Sequence, residues 1–205
     1  MNLINILPLM ADEKITIILP ASELDEDNYI AMVTKKGTIK RTKVSEFRNT
    51  RKSGIIAINI DEDDEVIGMI THDPNADDAA DHTILVVSEN GYGKRTDFEE
   101  YRKTNRGGKG VKTLNITDKT GSLVAIKNVT DENDLMIINR SGLTIRMAVS
   151  GIKVAGRATQ GVRLINIKEG DSIAAVSAVN KSEDENQTET AQAPEQETPA
   201  QETNN

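Results

Sequence analysis

Three stretches of this chain end alike: G-I-I-A-I-N-I from Gly54, G-V-K-T-L-N-I from Gly110 and G-V-R-L-I-N-I from Gly161. Asn-Ile occurs once more at Asn5-Ile6. A recurring segment restricts the possible folds more than composition does, because each copy must be one unit of a stacked architecture. Other landmarks keep the same phase. Gly37, Gly91 and Gly142 lie 54 and 51 residues apart, and short basic strands follow them: T-I-K-R, Y-G-K-R and L-T-I-R. Ten residues after each glycine stands an apolar anchor, Phe47, Tyr101 or Ile152, and then a polar loop leads to the Asn-Ile strand. Each unit opens on an apolar strand (Y-I-A-M-V-T, T-I-L-V-V-S, D-L-M-I-I-N) and closes on another after an acidic turn (V-I-G-M-I, L-V-A-I-K, I-A-A-V-S).

Four β-branched, glycine-bounded strands in about fifty residues predict an all-β, propeller-like repeat. N-L-I-N-I-L-P-L and K-I-T-I-I-L-P match only the second half of a unit. The expected organisation is therefore half a blade over residues 1–28, blades over 29–75, 82–131 and 132–180, and a tail over 181–205. A closed ring of three blades is not a credible propeller. The reading leaves two options: the back end of something longer, or open sheet edges that must be covered.

The tail holds one Lys, seven acids and no apolar residue larger than Ala, so it is expected to stay disordered. There is no cysteine, which excludes disulfides and thiolate metal sites and fits a reducing cytoplasm. The apolar opening M-N-L-I-N-I-L-P-L-M is too short for a membrane span and lacks a basic lead, so no membrane partner is expected.

Charge follows the repeat. Lys35 to Lys52 holds eight bases against Glu46, Gly91 to Lys112 seven against three acids, and Arg140 to Arg163 five against none. These windows carry +16, while the rest of the body carries −18. Equivalent positions of a repeat fold lie on one rim, so a basic perimeter and a polyanion partner are expected. Five aromatic residues are too few for a base-stacking platform. Cations on rigid strands beside glycine loops suit the backbone of duplex DNA, bound without sequence specificity. A curved basic rim offsets the bending cost of a duplex, of order 1 to 6 kcal/mol for a short site, and so favours wrapping.

The predicted DNA contacts are Lys35, Lys36, Lys40, Arg41, Lys43, Arg51 and Lys52 in the first full unit. The second supplies Lys94, Arg95, Arg102, Lys103, Arg106, Lys109 and Lys112, with Gly107, Gly108 and Gly110 letting backbone approach phosphate. The third supplies Arg146, Lys153, Arg157 and Arg163. Strand alternation should turn some of these to the wrong face.

From about Asn2 to Val179 the chain resembles the C-terminal β-pinwheel domain of DNA gyrase A, in runs such as N-G-Y-G-K-R-T, D-E-N-D-L-M-I-I-N-R-S-G and G-R-A-T-Q-G-V-R-L-I. The resemblance implies a pinwheel of four-stranded blades, incomplete in its first blade. Its charged edge would wrap duplex DNA within a bacterial type II topoisomerase, an isomerase that supercoils DNA negatively. Implied partners are the rest of gyrase A and its companion, gyrase B. ATP and Mg would act elsewhere in that enzyme, with no cofactor in this domain, and the location would be cytoplasmic at the nucleoid.

The family's box reads Q-R-R-G-G-K-G. Arg106 to Gly110 match its last five positions, whereas Thr104 and Asn105 depart from it. The family carries that box in the first blade of about six, so the match in the middle unit is also readable as a degenerate loop. Set against that family, the junction from Asp61 to Met69 is expected to skip a blade that relatives contain. The corresponding C-terminal domain of topoisomerase IV is the nearest competitor, and a propeller-like protein-interaction scaffold is the rival from another class.

No catalytic residue is expected. Tyr29, Tyr92 and Tyr101 fall at a strand start, a turn and an anchor, and neither glycine-lysine loop ends in G-K-[ST]. H-D-P-N-A-D-D-A-A-D-H from His72 reads as an inter-blade connection and not a cation site.

Overall fold

A computed structural model describes residues 9–10, 13–20, 25–51 and 53–181. The acidic tail beyond Lys181, much of the half blade, and Lys52 lie outside the described residues. Within them there is no α-helix, and eleven strands form three antiparallel sheets. The first sheet holds β1 (Tyr29–Thr34), β2 (Thr38–Lys43) and β3 (Val66–His72), and the second β4 (Thr83–Ser88), β5 (Tyr92–Asp97) and β7 (Leu123–Val129). The third holds β8 (Asn133–Asn139), β9 (Thr144–Ala148) and β11 (Ile173–Asn180). The remaining two strands are β6 (Val111–Lys112) and β10 (Val162–Arg163).

The punctuating glycines follow from hairpin geometry. Gly37, Gly91 and Gly142 have φ of 85°, 82° and 88°, and each donates its N–H to the carbonyl three residues back. A turn closed by a residue in the left-handed region fits the strand twist, and glycine adopts that region without steric cost.

Four strands per unit were expected to make each unit its own blade. The structure instead sends the Asn-Ile strand to the preceding sheet: β6 pairs with β2 (Ile39↔Val111, Thr38↔Lys112) and β10 with β5 (Gly93↔Val162, Tyr92↔Arg163). The sheet orders are β3-β1-β2-β6, β10-β5-β4-β7 and β11-β8-β9. Two features make the exchange possible. A Cβ on Gly161 would meet the Gly93 carbonyl oxygen at 2.5 Å, and one on Gly110 would clash with that of Ile39, so only glycine lets the incoming chain approach. The apolar residues just beyond, Leu114 and Ile165, then plug the two inter-sheet cores.

The first core joins Ala31, Val33 and Ile39 to Ile84 and Val86, and the second joins Leu85 and Val87 to Leu135 and Ile137. Thus β4 buries alternate residues in different cores, and all six of its residues are buried. The closing strand β7 packs against both β3 and β11. The closing strands therefore meet at the centre, which puts β6 and β10, at the other end of their sheets, on the perimeter.

Candidate nucleic-acid interface

The predicted cations separate by depth. Lys40, Arg41, Lys94 and Arg95, the Lys-Arg pairs of β2 and β5, are 1%, 1%, 1% and 4% exposed and cannot reach a phosphate. Arg41, Lys94 and Arg95 bind residues of the following unit, whereas Lys40 bonds within its own strand. Arg41 Nη1 donates to the Phe98 carbonyl (2.9 Å) and to Glu99 (2.9 Å), with the guanidinium 4.4 Å from the Tyr29 ring centroid. The Arg41 bond holds the Glu99 carboxyl below the usual carboxylate range. Arg95 donates from Nε to Thr83 Oγ1 (3.0 Å), and from Nη1 to Asp131 (2.5 Å) and the Val149 carbonyl (3.2 Å).

Each arginine thus grips the 3₁₀ turn of the next unit, Phe98–Glu100 or Val149–Gly151. Lys94 Nζ donates to the carbonyls of Gly156 (2.8 Å) and Arg157, and burial pushes its pKa down to about 8. Lys40 donates to Thr42 Oγ1 and is likewise shifted down by burial. Both faces of β2 and β5 are covered, so the expectation that these four contact DNA is corrected.

A second group, exposed except for the half-buried Lys43, is paired with acids. Lys35 meets Glu65 (3.1 Å), Lys43 meets Asp27 (2.7 Å), Lys109 meets Asp61 (2.9 Å) and Arg146 meets Asp134 (2.7 Å). Lys36 donates from Nζ to the Glu62 carbonyl and from its backbone N–H to Asp64. The acidic turn Asp61–Glu65 therefore lies against the Lys35–Lys36 hairpin and the box-like loop. The segment before it holds that loop as well: Gly107 N–H donates to the Ala57 carbonyl (2.9 Å), Asn59 N–H to the Gly108 carbonyl (3.1 Å), and Arg106 to the Ile56 carbonyl (3.2 Å). The Gly107 amide is thus already engaged, and Gly110 serves the strand exchange.

The third group lies on the perimeter strands and the loops leading to them. Arg102, Lys103, Arg106 and Lys112 in one unit, and Lys153 and Arg163 in the next, are exposed, while Arg157 is half-buried. Arg102 and Lys153, Arg106 and Arg157, and Lys112 and Arg163 all share the 51-residue spacing of Gly91 and Gly142, so the fold puts each pair at equivalent places. That spacing was legible in the sequence. Arg51 is exposed before Gly54. Arg163 donates to the Tyr92 hydroxyl (2.6 Å from Nη2), and Lys119, absent from the predicted set, stands 5.3 Å from the same ring.

The inter-blade connection is built, not loose. His82 bonds Asn128 (2.8 Å) and Asp78 (3.2 Å), and His72 stacks on Phe98 with ring centroids 3.8 Å apart. Among the described residues no cluster of three metal-ligating side chains occurs, and no helix is long and apolar enough to cross a membrane.

The model of the family described as DNA gyrase C-terminal domain, beta-propeller, matches residues 28–73, 82–130 and 133–180. The chain belongs to this family. Among its relatives, the DNA gyrase A protein of Staphylococcus epidermidis strain ATCC 12228 is 36% identical over 229 residues, covering 89% of this chain and 26% of the relative. The protein of the same name from Staphylococcus aureus strain MRSA252 is 33% identical over 234 residues, with the same coverage. The chain thus spans about a quarter of the length of these relatives.

Two solved structures share the fold. The C-terminal domain of DNA topoisomerase IV superposes with a TM-score of 0.76 at 22% identity, covering 88% of this chain and 55% of that one. The DNA gyrase A C-terminal domain gives 0.58 at 20%, covering 87% and 74%. In this member of the gyrase C-terminal family, two of the three glycine-to-Asn-Ile segments, those from Gly110 and Gly161, supply the strands exchanged between sheets.

Proposed function

We propose that this chain binds and wraps duplex DNA as a non-catalytic part of a type II topoisomerase, as the C-terminal domain of gyrase A. The observation that carries the reading is the perimeter cation set, repeated at equivalent places of successive units while the middle-strand cations are buried. Duplex laid along that edge meets cations at the spacing of the blades, and the adjoining sheets present the next contacts as the DNA bends. Binding would read phosphate and not base edges, because the exposed donors are Lys and Arg on the outer strands and loops.

In the whole enzyme the domain would act with the rest of gyrase A and with gyrase B in the bacterial cytoplasm at the nucleoid. ATP and magnesium would be used elsewhere in that enzyme, for negative supercoiling. Sequence identity to gyrase A supports this assignment. The higher TM-score to the topoisomerase IV domain supports the second reading, a part of topoisomerase IV.

Filter binding on random duplex across a salt series tests the DNA reading. A log-log slope of several charges is expected, and weak, salt-independent binding would favour the protein scaffold. Ligation of small relaxed circles with the protein present then reports wrapping and its hand through the change in linking number. ATP-dependent negative supercoiling by the reconstituted full-length enzyme separates gyrase from topoisomerase IV.

A further inference from the structure

We infer that Lys119, Arg163 and the Tyr92 hydroxyl form one phosphate-binding cleft on the second sheet, a contact that brings Lys119 into the DNA path and rests on the duplex reading above. Tyr92 opens β5 at the tip of the β4–β5 hairpin. Three segments converge on it. The strand β10, lent by the next unit, brings Arg163 opposite Tyr92, the turn 117–121 brings Lys119, and the turn 167–171 closes the far side. With Asn90 they line a cleft of about 270 Å³. The second sheet has a described unit on either side, so the walls of this cleft are all in place.

The lining has the chemistry of an anion site. Arg163 donates to the Tyr92 hydroxyl from Nε (3.1 Å) and Nη2 (2.6 Å), which fills the hydroxyl lone pairs and leaves its own O–H to donate elsewhere. The Lys119 ammonium and the Arg163 guanidinium each lie 5.3 Å from the centre of the Tyr92 ring, and among the described residues neither is ion-paired. Holding two unneutralised cations against one ring costs repulsion that a phosphate would relieve through charge-assisted hydrogen bonds. Lys168 adds a third cation, against the two acids Glu169 and Asp171. Asp171 is already engaged: its carboxylate accepts from Asn139 (2.6 Å) and from the Ser141 (3.3 Å) and Ser172 (2.8 Å) amides.

The first sheet offers a comparison within the same chain. Thr38 stands opposite Lys112 as Tyr92 stands opposite Arg163, so no phenol is present there. The turn over that hairpin is the acidic 61–65, whose Glu65 and Asp64 hold Lys35 and the Lys36 amide. A phosphate is therefore welcomed at one hairpin tip and repelled at the other. Because Arg163 lies on the perimeter strand β10, a duplex that touches it comes within reach of Lys119. The bound phosphate would then tie the lent strand to the sheet that receives it.

Duplex binding across a salt series, together with amide NMR shifts during titration with inorganic phosphate, tests the cleft. Lys119 is exposed, so K119Q should fold like the wild type. It should lower the log-log salt slope by about 1. Y92F should leave the slope alone and weaken duplex binding about threefold at low salt, through the lost O–H donor. K127Q, on the central strand β7, should change neither. Phosphate should shift the Tyr92, Lys119 and Arg163 amides saturably in the wild type and not in a K119Q/Y92F double variant. An unchanged slope in K119Q, an equal fall in K127Q, or undiminished affinity in Y92F would overturn the inference while leaving the DNA reading standing. If the wild type shows no salt-dependent duplex binding, the DNA reading fails. Saturable phosphate shifts would then keep the cleft as a site for free phosphate, and their absence would overturn it too.

Discussion

The Lys-Arg pairs of β2 and β5 and the cations of the perimeter loops have the same chemistry and both recur with the repeat, yet their surroundings are opposite. Arg95 is buried with four protein acceptors, whereas Arg102 and Lys153 stand in solvent. Positive charge that recurs with a repeat thus has two sources: a surface presented to a partner, and the bonds by which one repeat grips the next. Only depth separates them. The two buried arginines differ in turn. Arg95 spends its donors on Thr83, Asp131 and the Val149 and Ile152 carbonyls, while Arg41 leaves Nε and Nη2 without a protein partner and lies between the Tyr29 and Phe98 rings.

Truncating these arginines should produce the largest effect and divide the buried group itself. R95M leaves the buried Ile152 carbonyl without its donor and takes one of two donors from the Val149 carbonyl, which keeps the Ile152 N–H (2.9 Å), at about 1 to 3 kcal/mol. R41M frees the more exposed Glu99 and removes two unsatisfied donors, so its cost should be less than half as large. At about 2 to 4 °C per kcal/mol for a chain of this length, thermal melts resolve the two. Equal losses would mean that the grip on the next unit, and not the pairing of each donor, sets the cost.

Lys94 supplies the next effect, through pH. Its folded pKa of about 8 lies below the usual 10.5, so between those values the unfolded chain holds more protons and stability should rise with pH. Melting wild type and K94M from pH 7.5 to 10.5 checks this. The rise should be present in wild type and reduced in K94M, whereas the DNA salt slope measured on the folded variant at pH 7.5 should stay unchanged. A lower slope would return Lys94 to the perimeter group.

The perimeter group is tested directly by K112A/R163A. Each lost phosphate contact should lower the log-log salt slope by about 1, and the pair should weaken duplex binding about tenfold or more at low salt. K40M, if folded, should leave the slope alone. Melting temperatures should move little in K112A/R163A, because both side chains are exposed.

The repeat, its turns and most of its strands were legible in the sequence, because glycine at positive φ and alternating apolar residues are local requirements. The lending of β6 and β10 was not. The pattern G-V-K-T-L-N-I is the same whether the strand joins its own sheet or the preceding one, and the choice is made by Leu114 and Ile165 entering the inter-sheet cores. The depth of Lys40 and Arg41 was hidden for a related reason. Alternation assigns one of two adjacent residues to solvent only where one face of the strand is open, and both faces of β2 and β5 are covered. The cations on the incoming loops obey no alternation, so the sequence could place their repeat phase but not the acids that pair with them.

Those acids supply the smallest expected effect. Lys109 belongs to the box-like loop, yet its ammonium lies 2.9 Å from Asp61, in a pair with both side chains largely exposed. The bond shifts the Asp61 carboxyl below and the Lys109 amine above its ordinary range, so both stay charged across the neutral region. A phosphate must compete with Asp61 for this lysine, and surface pairs of this kind are weak and screened by salt. D61N should therefore raise duplex affinity only about threefold at low salt, with the gain fading as salt increases. The same substitution in a K109A background should change nothing. If D61N still tightened binding there, the acidic turn would be acting through its overall field on the perimeter and not through the Asp61–Lys109 pair.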